Sequence, residues 1–99
     1  MSTEDISASL ESSSELIPIT RNIIGNMIIV TPNDYNVQKK LNRIESEYRE
    51  QIVSKNLNFV NQNLIAFMVY DGTLQGFQKL VVEINSIEDI KNFRYLIIN

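Results

Sequence analysis

Apolar side chains recur at helical spacing through the segment that begins after residue 30. The steps between successive members are four, three, four and four, so all five would lie on one stripe of a helix: Val37, Leu41, Ile44, Tyr48 and Ile52. Charged and amide side chains fill most of the positions between them. The pattern predicts a single helix of roughly 24 residues, about 36 Å long, that ends near residue 56.

The start of this helix is marked by capping residues. Thr31 and Asp34 have the spacing of a capping box, and Pro32 would take the first helical position. Before them, the β-branched run "IIGNMIIV" predicts a strand over Met27 to Val30, and the Gly-Asn pair inside the run indicates a bulge or a tight turn. We therefore expect the chain to pass directly from a strand into the long helix.

Further strand-like runs follow the helix. "LNFV" and "LIAFMVY" are apolar, and the Asp-Gly pair at positions 71 and 72 has the composition of a two-residue hairpin loop. We therefore expect Leu64 to Tyr70 to pair with a strand from Thr73 to Ile84. A Ser-x-x-Asp capping pair predicts a short helix over Ile87 to Asn92, and "RYLII" predicts a final strand.

The order of these elements indicates an α+β fold. We expect a two-layer sandwich in which one long helix and one short helix lie on a mostly antiparallel sheet of four or five strands. The order β-α-β-β-α-β is that of a ferredoxin-like fold. Because the last connection is short for a parallel crossover, the final strand could run parallel or antiparallel to its neighbour.

The beginning of the chain differs in composition from the rest. Residues 1 to 20 carry four acidic and no basic side chains, and the segment is rich in Ser. Such a segment cannot bury enough apolar surface to offset the entropy of ordering, so we predict a flexible tail over residues 1–16 and a single domain over residues 17–99. The tail could be a regulatory arm, with candidate phosphorylation sites at Ser2, Ser12, Ser13 and Ser14, or a solubilising leader without a specific role.

The chain contains neither Cys nor His. Zinc sites of thiolate and imidazole, haem and iron–sulfur ligation through those groups, Cys nucleophiles and Ser-His-Asp relays are therefore excluded within one chain. No set of residues converges on another kind of active site, so we expect no enzyme, no cofactor and no metal. The longest apolar run is too short to cross a bilayer and no secretory signal is visible, so we expect an intracellular protein, cytoplasmic or nuclear, without a membrane partner.

The predicted sheet has more apolar surface than two helices can cover. Several strand segments are apolar at consecutive positions, so both faces of the sheet would carry aliphatic and aromatic side chains. Leaving them in water would cost a large part of the stability of a small domain. We therefore predict a partner-binding surface that contains Met27, Ile29, Ile65, Phe67, Val69, Tyr95 and Ile97.

The function predicted from this surface is a non-catalytic interaction module. It would be an adaptor, an assembly factor or an inhibitor-type subunit that binds a second copy of itself or another protein. A different cover for the sheet is the tail's own Leu16, Ile17 and Ile19. The alternative function is a small nucleic-acid-binding domain that uses the sheet and the basic side of the helix at Lys39 to Arg43, but the near-neutral domain lacks a basic stripe, so nucleic acid is the less expected partner.

Overall fold

The computed structural model describes residues 18–98. The prediction of a boundary between a tail and a domain after residue 16, and the four candidate Ser residues of the tail, lie outside the described residues. The described elements follow in this order: β1 (Asn22–Pro32), α1 (Tyr35–Glu47), β2 (Ile52–Val60), β3 (Asn63–Thr73), α2 (Leu74–Asn85) and β4 (Asn92–Ile98).

The four strands form one sheet in the order β2-β3-β1-β4. Every neighbouring pair is antiparallel, including β1 with β4, so the final strand takes the antiparallel alternative. Both helices contribute side chains to one core that lies against one face of the sheet. The predicted α+β two-layer sandwich with ferredoxin-like element order is therefore confirmed, although the bounds of several elements differ from the prediction.

Helix α1 is much shorter than predicted, with 13 residues. Asp34 is its N-cap, and its carboxylate accepts a hydrogen bond from the backbone N–H of Asn36 at 2.7 Å. Thr31 and Pro32 belong to β1 instead, where they pair with β3. The prediction of a single helix of roughly 24 residues is wrong. Residues at both ends of the predicted helix belong to strands, because pairing in the sheet outweighs a spacing that also fits a helix.

The predicted hairpin at Asp71 and Gly72 is also wrong. Strand β3 continues through both residues to Thr73, and Thr73 then caps α2 with a hydrogen bond from the N–H of Gly76 to its Oγ1 at 3.1 Å. The segment predicted as a strand from residue 73 to residue 84 is thus a helix. Its buried side chains are three, three and four positions apart, which is helical spacing: Leu74, Phe77, Leu80 and Ile84.

The tight turn of the hairpin lies one connection earlier than predicted. Asn61 and Gln62 join β2 to β3 and have φ angles of 50° and 66°, as a two-residue turn with left-handed backbone requires. The prediction of a short helix over Ile87 to Asn92 is wrong, because residues 87–91 form turns and irregular backbone and β4 begins at Asn92.

Strand β1 passes through Gly25 without a bulge or turn. A Cβ atom at this position would lie 2.4 Å from the nearest ring carbon of Phe77, which is buried on α2. The glycine therefore serves the close approach of α2 to the sheet. This close approach lies on the face of β1 that the helices cover.

Candidate interaction surface

The two faces of the sheet are set by alternation along the central strands. On β1 the side chains of Ile23, Met27 and Ile29 are buried beneath the helices, and on β3 the same holds for Ala66 and Met68. The intervening residues of both strands point to the other side. No described element packs on that side, and we call it the open face.

The open face is mostly apolar. Ile28 and Phe67 lie directly opposite each other on the two central strands, and each remains 42% exposed. Pairing between β1 and β4 places Leu96 and Ile98 on the same face. The large apolar side chains of the open face are Ile24, Ile28, Val30, Val60, Ile65, Phe67, Val69, Leu96 and Ile98.

Charge is scarce on the open face. Within residues 18–98, the charged side chains that the strand registers place there are Arg94 on β4 and Asp71 near the end of β3. Amides and a hydroxyl border the apolar centre on β2, at Ser54, Asn56 and Asn58. This arrangement of an apolar centre with a polar border is typical of protein-binding surfaces.

Three of the seven predicted surface residues lie on the open face, namely Ile65, Phe67 and Val69. The assignment of Met27 and Ile29 to the surface is wrong, because these side chains are 1% and 0% exposed beneath the helices. Adjacent residues of a strand point to opposite faces of the sheet. Because every residue from Met27 to Val30 is apolar, the sequence did not show which of them face the helices.

Tyr95 and Ile97 also lie on the face opposite to the predicted one. Their register partners on β1 are Met27 and Gly25, which places them on the helix side of the sheet. The ring of Tyr95 meets that of Phe77 edge-on at 5.4 Å between centroids. The assignment of both residues to the same surface as Phe67 is therefore wrong.

Sequence reasoning missed most of the apolar side chains of the open face. The open face also contains Ile24, Ile28, Leu96 and Ile98. These residues lie in apolar runs, in which either alternate set of side chains could face the core. The glycine at position 25 carried the missing information, since it marks the side on which a helix approaches. A shift of one residue exchanges the two faces completely.

Strand β2 is the edge of the sheet next to β3, and every residue from Val53 to Val60 is exposed. Leu57 and Phe59 pair with buried residues of β3 and so lie on the helix side, yet they are 43% and 61% exposed. The helices therefore stop short of this edge. Its one charged residue, Lys55, forms an ion pair with Glu45 of α1.

The ends of the two helices are joined by a polar cluster. The hydroxyl of Tyr48 donates a hydrogen bond to Oε2 of Glu83 at 2.6 Å. Burial, followed by this hydrogen bond, raises the pKa of Tyr48 far above its ordinary value of 10.0. A hydrogen bond to Glu83, followed by repulsion from the same carboxylate, raises the pKa of Glu47 above 4.5. The hydrogen bond from Tyr48 to Glu83 connects the end of α1 to α2.

The described part of the chain offers no metal site and no membrane span. No three acidic side chains within residues 18–98 are grouped so that they could hold a metal ion. Neither of the two helices has the length and apolar character needed to cross a bilayer. The basic residues Lys39, Lys40 and Arg43 are exposed on α1, on the side of the molecule away from the open face.

No protein-family profile matches the chain, and no curated protein matches it either. Solved structures do match. The uncharacterized protein TM1266 from Thermotoga maritima has a TM-score of 0.74 at 14% identity, over 80% of this chain and all of that one. The ACT domain from the GTP pyrophosphokinase of Chlorobium tepidum has a TM-score of 0.66 at 10% identity, over 77% of this chain and all of that one.

A third match is the C-terminal domain of the MgtC protein from Mycobacterium tuberculosis, with a TM-score of 0.56 at 8% identity, over 76% of this chain and 86% of that one. At such low identities the likeness concerns the fold. The chain has an ACT-like fold, with four antiparallel strands and two helices in ferredoxin-like order.

Proposed function

We propose that this protein is a non-catalytic interaction module that pairs with a second copy of itself through the open face of its sheet. The observation that carries the proposal is the row of apolar side chains on that face, centred on Ile28 and Phe67, with no described element above it. Exposed aliphatic and aromatic side chains cost about 1 kcal/mol or more each when a partner could bury them. A small domain has a net stability of roughly 5 kcal/mol, so several such side chains weigh heavily.

The charges of the open face favour a second copy as the partner. Arg94 and Asp71 have opposite signs, so the strand residues of this face carry no net charge and two copies would not repel each other. In a two-fold arrangement the same patch meets itself, which face-to-face packing of two four-stranded sheets allows. A strongly charged partner would find little to bind on this face.

The fold supports a module rather than an enzyme. One matching structure is a domain from a GTP pyrophosphokinase, which shows that the fold occurs as one part of a larger protein. In this chain the hydroxyl of Tyr48 is a weak acid because burial and Glu83 raise its pKa, so it is poorly suited to proton transfer near neutral pH. The absence of Cys and His excludes thiol nucleophiles and imidazole general bases within the chain.

The alternative of nucleic-acid binding has less support. Its two predicted parts, the sheet and the basic cluster of Lys39, Lys40 and Arg43, lie on opposite sides of the molecule. A single nucleic-acid strand could not contact both as one continuous surface. A nucleic-acid interface also needs several cations close together, whereas the open face has Arg94 as its one cation among the described strand residues.

Sedimentation of the full chain and of matched variants tests the proposal. Phe67→Asp places a charge at the centre of the open face, and we expect it to convert a dimer into a monomer because a buried unpaired carboxylate is costly. Val82→Asp is the control, since Val82 is an exposed apolar residue on α2, away from the open face. A native chain that stays monomeric up to about 100 µM, or equal behaviour of the two variants, would contradict the proposal.

A further inference from the structure

The two helices carry four exposed cations, which we call the helix cations. They are Lys39, Lys40 and Arg43 on α1 and Lys79 on α2. Within residues 18–98, none of the four forms a salt bridge. Lys39 and Arg43 are four positions apart, so they lie on one face of α1. A group of exposed cations attracts a negatively charged segment.

The acidic side chains of the helices interact mainly with other groups. Glu45 forms its ion pair with Lys55 of β2. Glu47 and Glu83 lie together where the end of α1 meets α2, and their charges repel each other. Lys39 lies about two helical turns before Glu47, so an acidic segment can reach it without passing over these two carboxylates.

The first described residues bring the chain to the level of the helices. The backbone carbonyl of Ile19 accepts a hydrogen bond from the N–H of Gln75, in the first turn of α2, at 2.9 Å. Because the first N–H groups of a helix point out of its end, the backbone at Ile19 lies beyond the end of α2 and not on the open face. Lys79 is one turn further along α2, on the same face as Gln75. Residues 1–17 therefore begin close to one of the helix cations.

Residues 1–17 have the charge and the length to reach the helix cations. They contain four acidic side chains and no basic one. A segment of this length spans up to about 56 Å at ~3.3 Å per residue. The longer helix has 13 residues and is about 20 Å long. Glu15 is three residues before Pro18 and so lies within about 10 Å of it, and the other three acids lie further along the segment.

From these charges and the position of Ile19 we propose that residues 1–17 dock on the helix cations of the same chain, along the outer surface of α1 and α2. The covalent connection gives the segment an effective concentration of ~1 mM at this surface, which favours it over a second copy at micromolar concentration. The open face is a poorer site for an acidic segment, because Arg94 is its one cation among the described strand residues. The proposal is independent of pairing through the open face.

A nitroxide spin label on the acidic segment of the full chain tests the contact by nuclear magnetic resonance. The native sequence has no Cys, so Ser9→Cys provides a single attachment site. We expect the label to broaden the amide signals of α1 around residues 39–43 and of α2 around Lys79, and to leave those of Ile28 and Phe67 on the open face sharp. The broadening should fall roughly threefold between about 0.1 M and 1 M salt, because the Debye length falls from ~10 Å to ~3 Å.

Two matched double variants identify the surface. Lys39→Glu with Arg43→Glu should reduce the broadening roughly fivefold, because two attractions are replaced by two repulsions of similar size. Lys91→Glu with Arg94→Glu makes the same change of charge at exposed positions outside the helices and should have little effect. All four side chains are exposed, so both variants are expected to fold.

A change in the segment itself supplies the test even if a helix variant folds poorly. Glu11→Gln with Glu15→Gln removes two acids and leaves residues 18–98 unaltered, and it should also weaken the broadening. The opposite change, Ser12→Glu with Ser14→Glu, adds two acids in place of phosphates and should strengthen it.

Equal broadening in the two double helix and β4 variants would overturn the proposal, and so would a maximum on the open face or broadening that is insensitive to salt. A mixture of spin-labelled chain with isotope-labelled chain that carries no nitroxide separates docking within one chain from docking between copies. We expect no broadening in that mixture, and broadening there would contradict docking on the same chain. Repeating the measurement with Phe67→Asp added should leave the result unchanged, whether or not the open face mediates association.

Discussion

The helix side and the open side of the sheet are built from the same strands and nearly the same kinds of residue. On β1, Ile23 and Ile29 lie in the core, whereas Ile24 and Ile28, one position away from each, face outward. Hydrophobicity therefore does not distinguish the two faces. The helices do, because they pack on one side and leave the other exposed.

A pair of Phe→Ala substitutions gives the sharpest contrast between the two faces. Phe77 is fully buried between α2 and β1, and Phe67 is at the centre of the open face. We expect Phe77→Ala to lower the free energy of unfolding by about 3–5 kcal/mol because it leaves a cavity, and Phe67→Ala to lower it by about 1 kcal/mol in the monomer.

Urea denaturation at a low protein concentration measures both values. Sedimentation measures self-association, and there we expect Phe67→Ala to have the larger effect. Phe67→Ala should weaken self-association, whereas Phe77→Ala should leave it intact in the folded fraction. Similar losses of stability in the two variants would show that the open face is already buried within one chain.

Adjacent substitutions on β1 test the same contrast at the backbone. Gly25→Ala places a Cβ atom 2.4 Å from the ring of Phe77, so we expect a loss of about 1–3 kcal/mol from overpacking, less a small gain from the stiffer backbone. Asn26→Ala, one residue along and on the open face, should change stability by at most about 0.5 kcal/mol. A higher melting temperature for Gly25→Ala would contradict the close approach of α2.

The smallest effect is expected at the polar cluster between the helices. The pKa of Glu47 is raised by its hydrogen bond to Glu83 and then by repulsion from that carboxylate, so the folded chain favours the protonated form of Glu47. Its contribution to stability is therefore fully present below pH 4.5 and is lost as the pH rises through the raised pKa.

Glu47→Gln keeps a hydrogen-bond donor and removes the charge, so we expect a higher melting temperature at neutral pH and a flatter dependence on pH between about 4 and 7. Glu50→Gln makes the same change of charge three residues away and is the control. Identical pH profiles for Glu47→Gln and the native chain would mean that the two carboxyl groups do not interact.

Much of the architecture could be predicted from patterns within the sequence. The helical stripe at Val37, Leu41 and Ile44 forms the buried face of α1, and the α+β class and the element order are as expected. The bounds were less predictable. Ile52 continues the helical spacing and does pack against the core, but it does so from a strand.

The segment from residue 73 to residue 84 shows why such errors arise. Leu80 and Ile84 fit both a strand pattern with period two and a helix pattern with period four, so local spacing could not separate them. The Asp-Gly pair favoured a hairpin, yet both residues pair with β1 inside a longer strand. Long-range pairing outweighed a local turn preference.

The sequence by itself determined the fold class, the apolar stripe of α1 and the lack of Cys and His chemistry, because these depend on composition and on short-range spacing. Only the tertiary structure decided which face of each strand is covered. That choice depends on where α2 packs, which is close to Gly25 of β1 and involves contacts between residues distant in sequence. A run of consecutive apolar residues does not itself show which alternate side chains face the core.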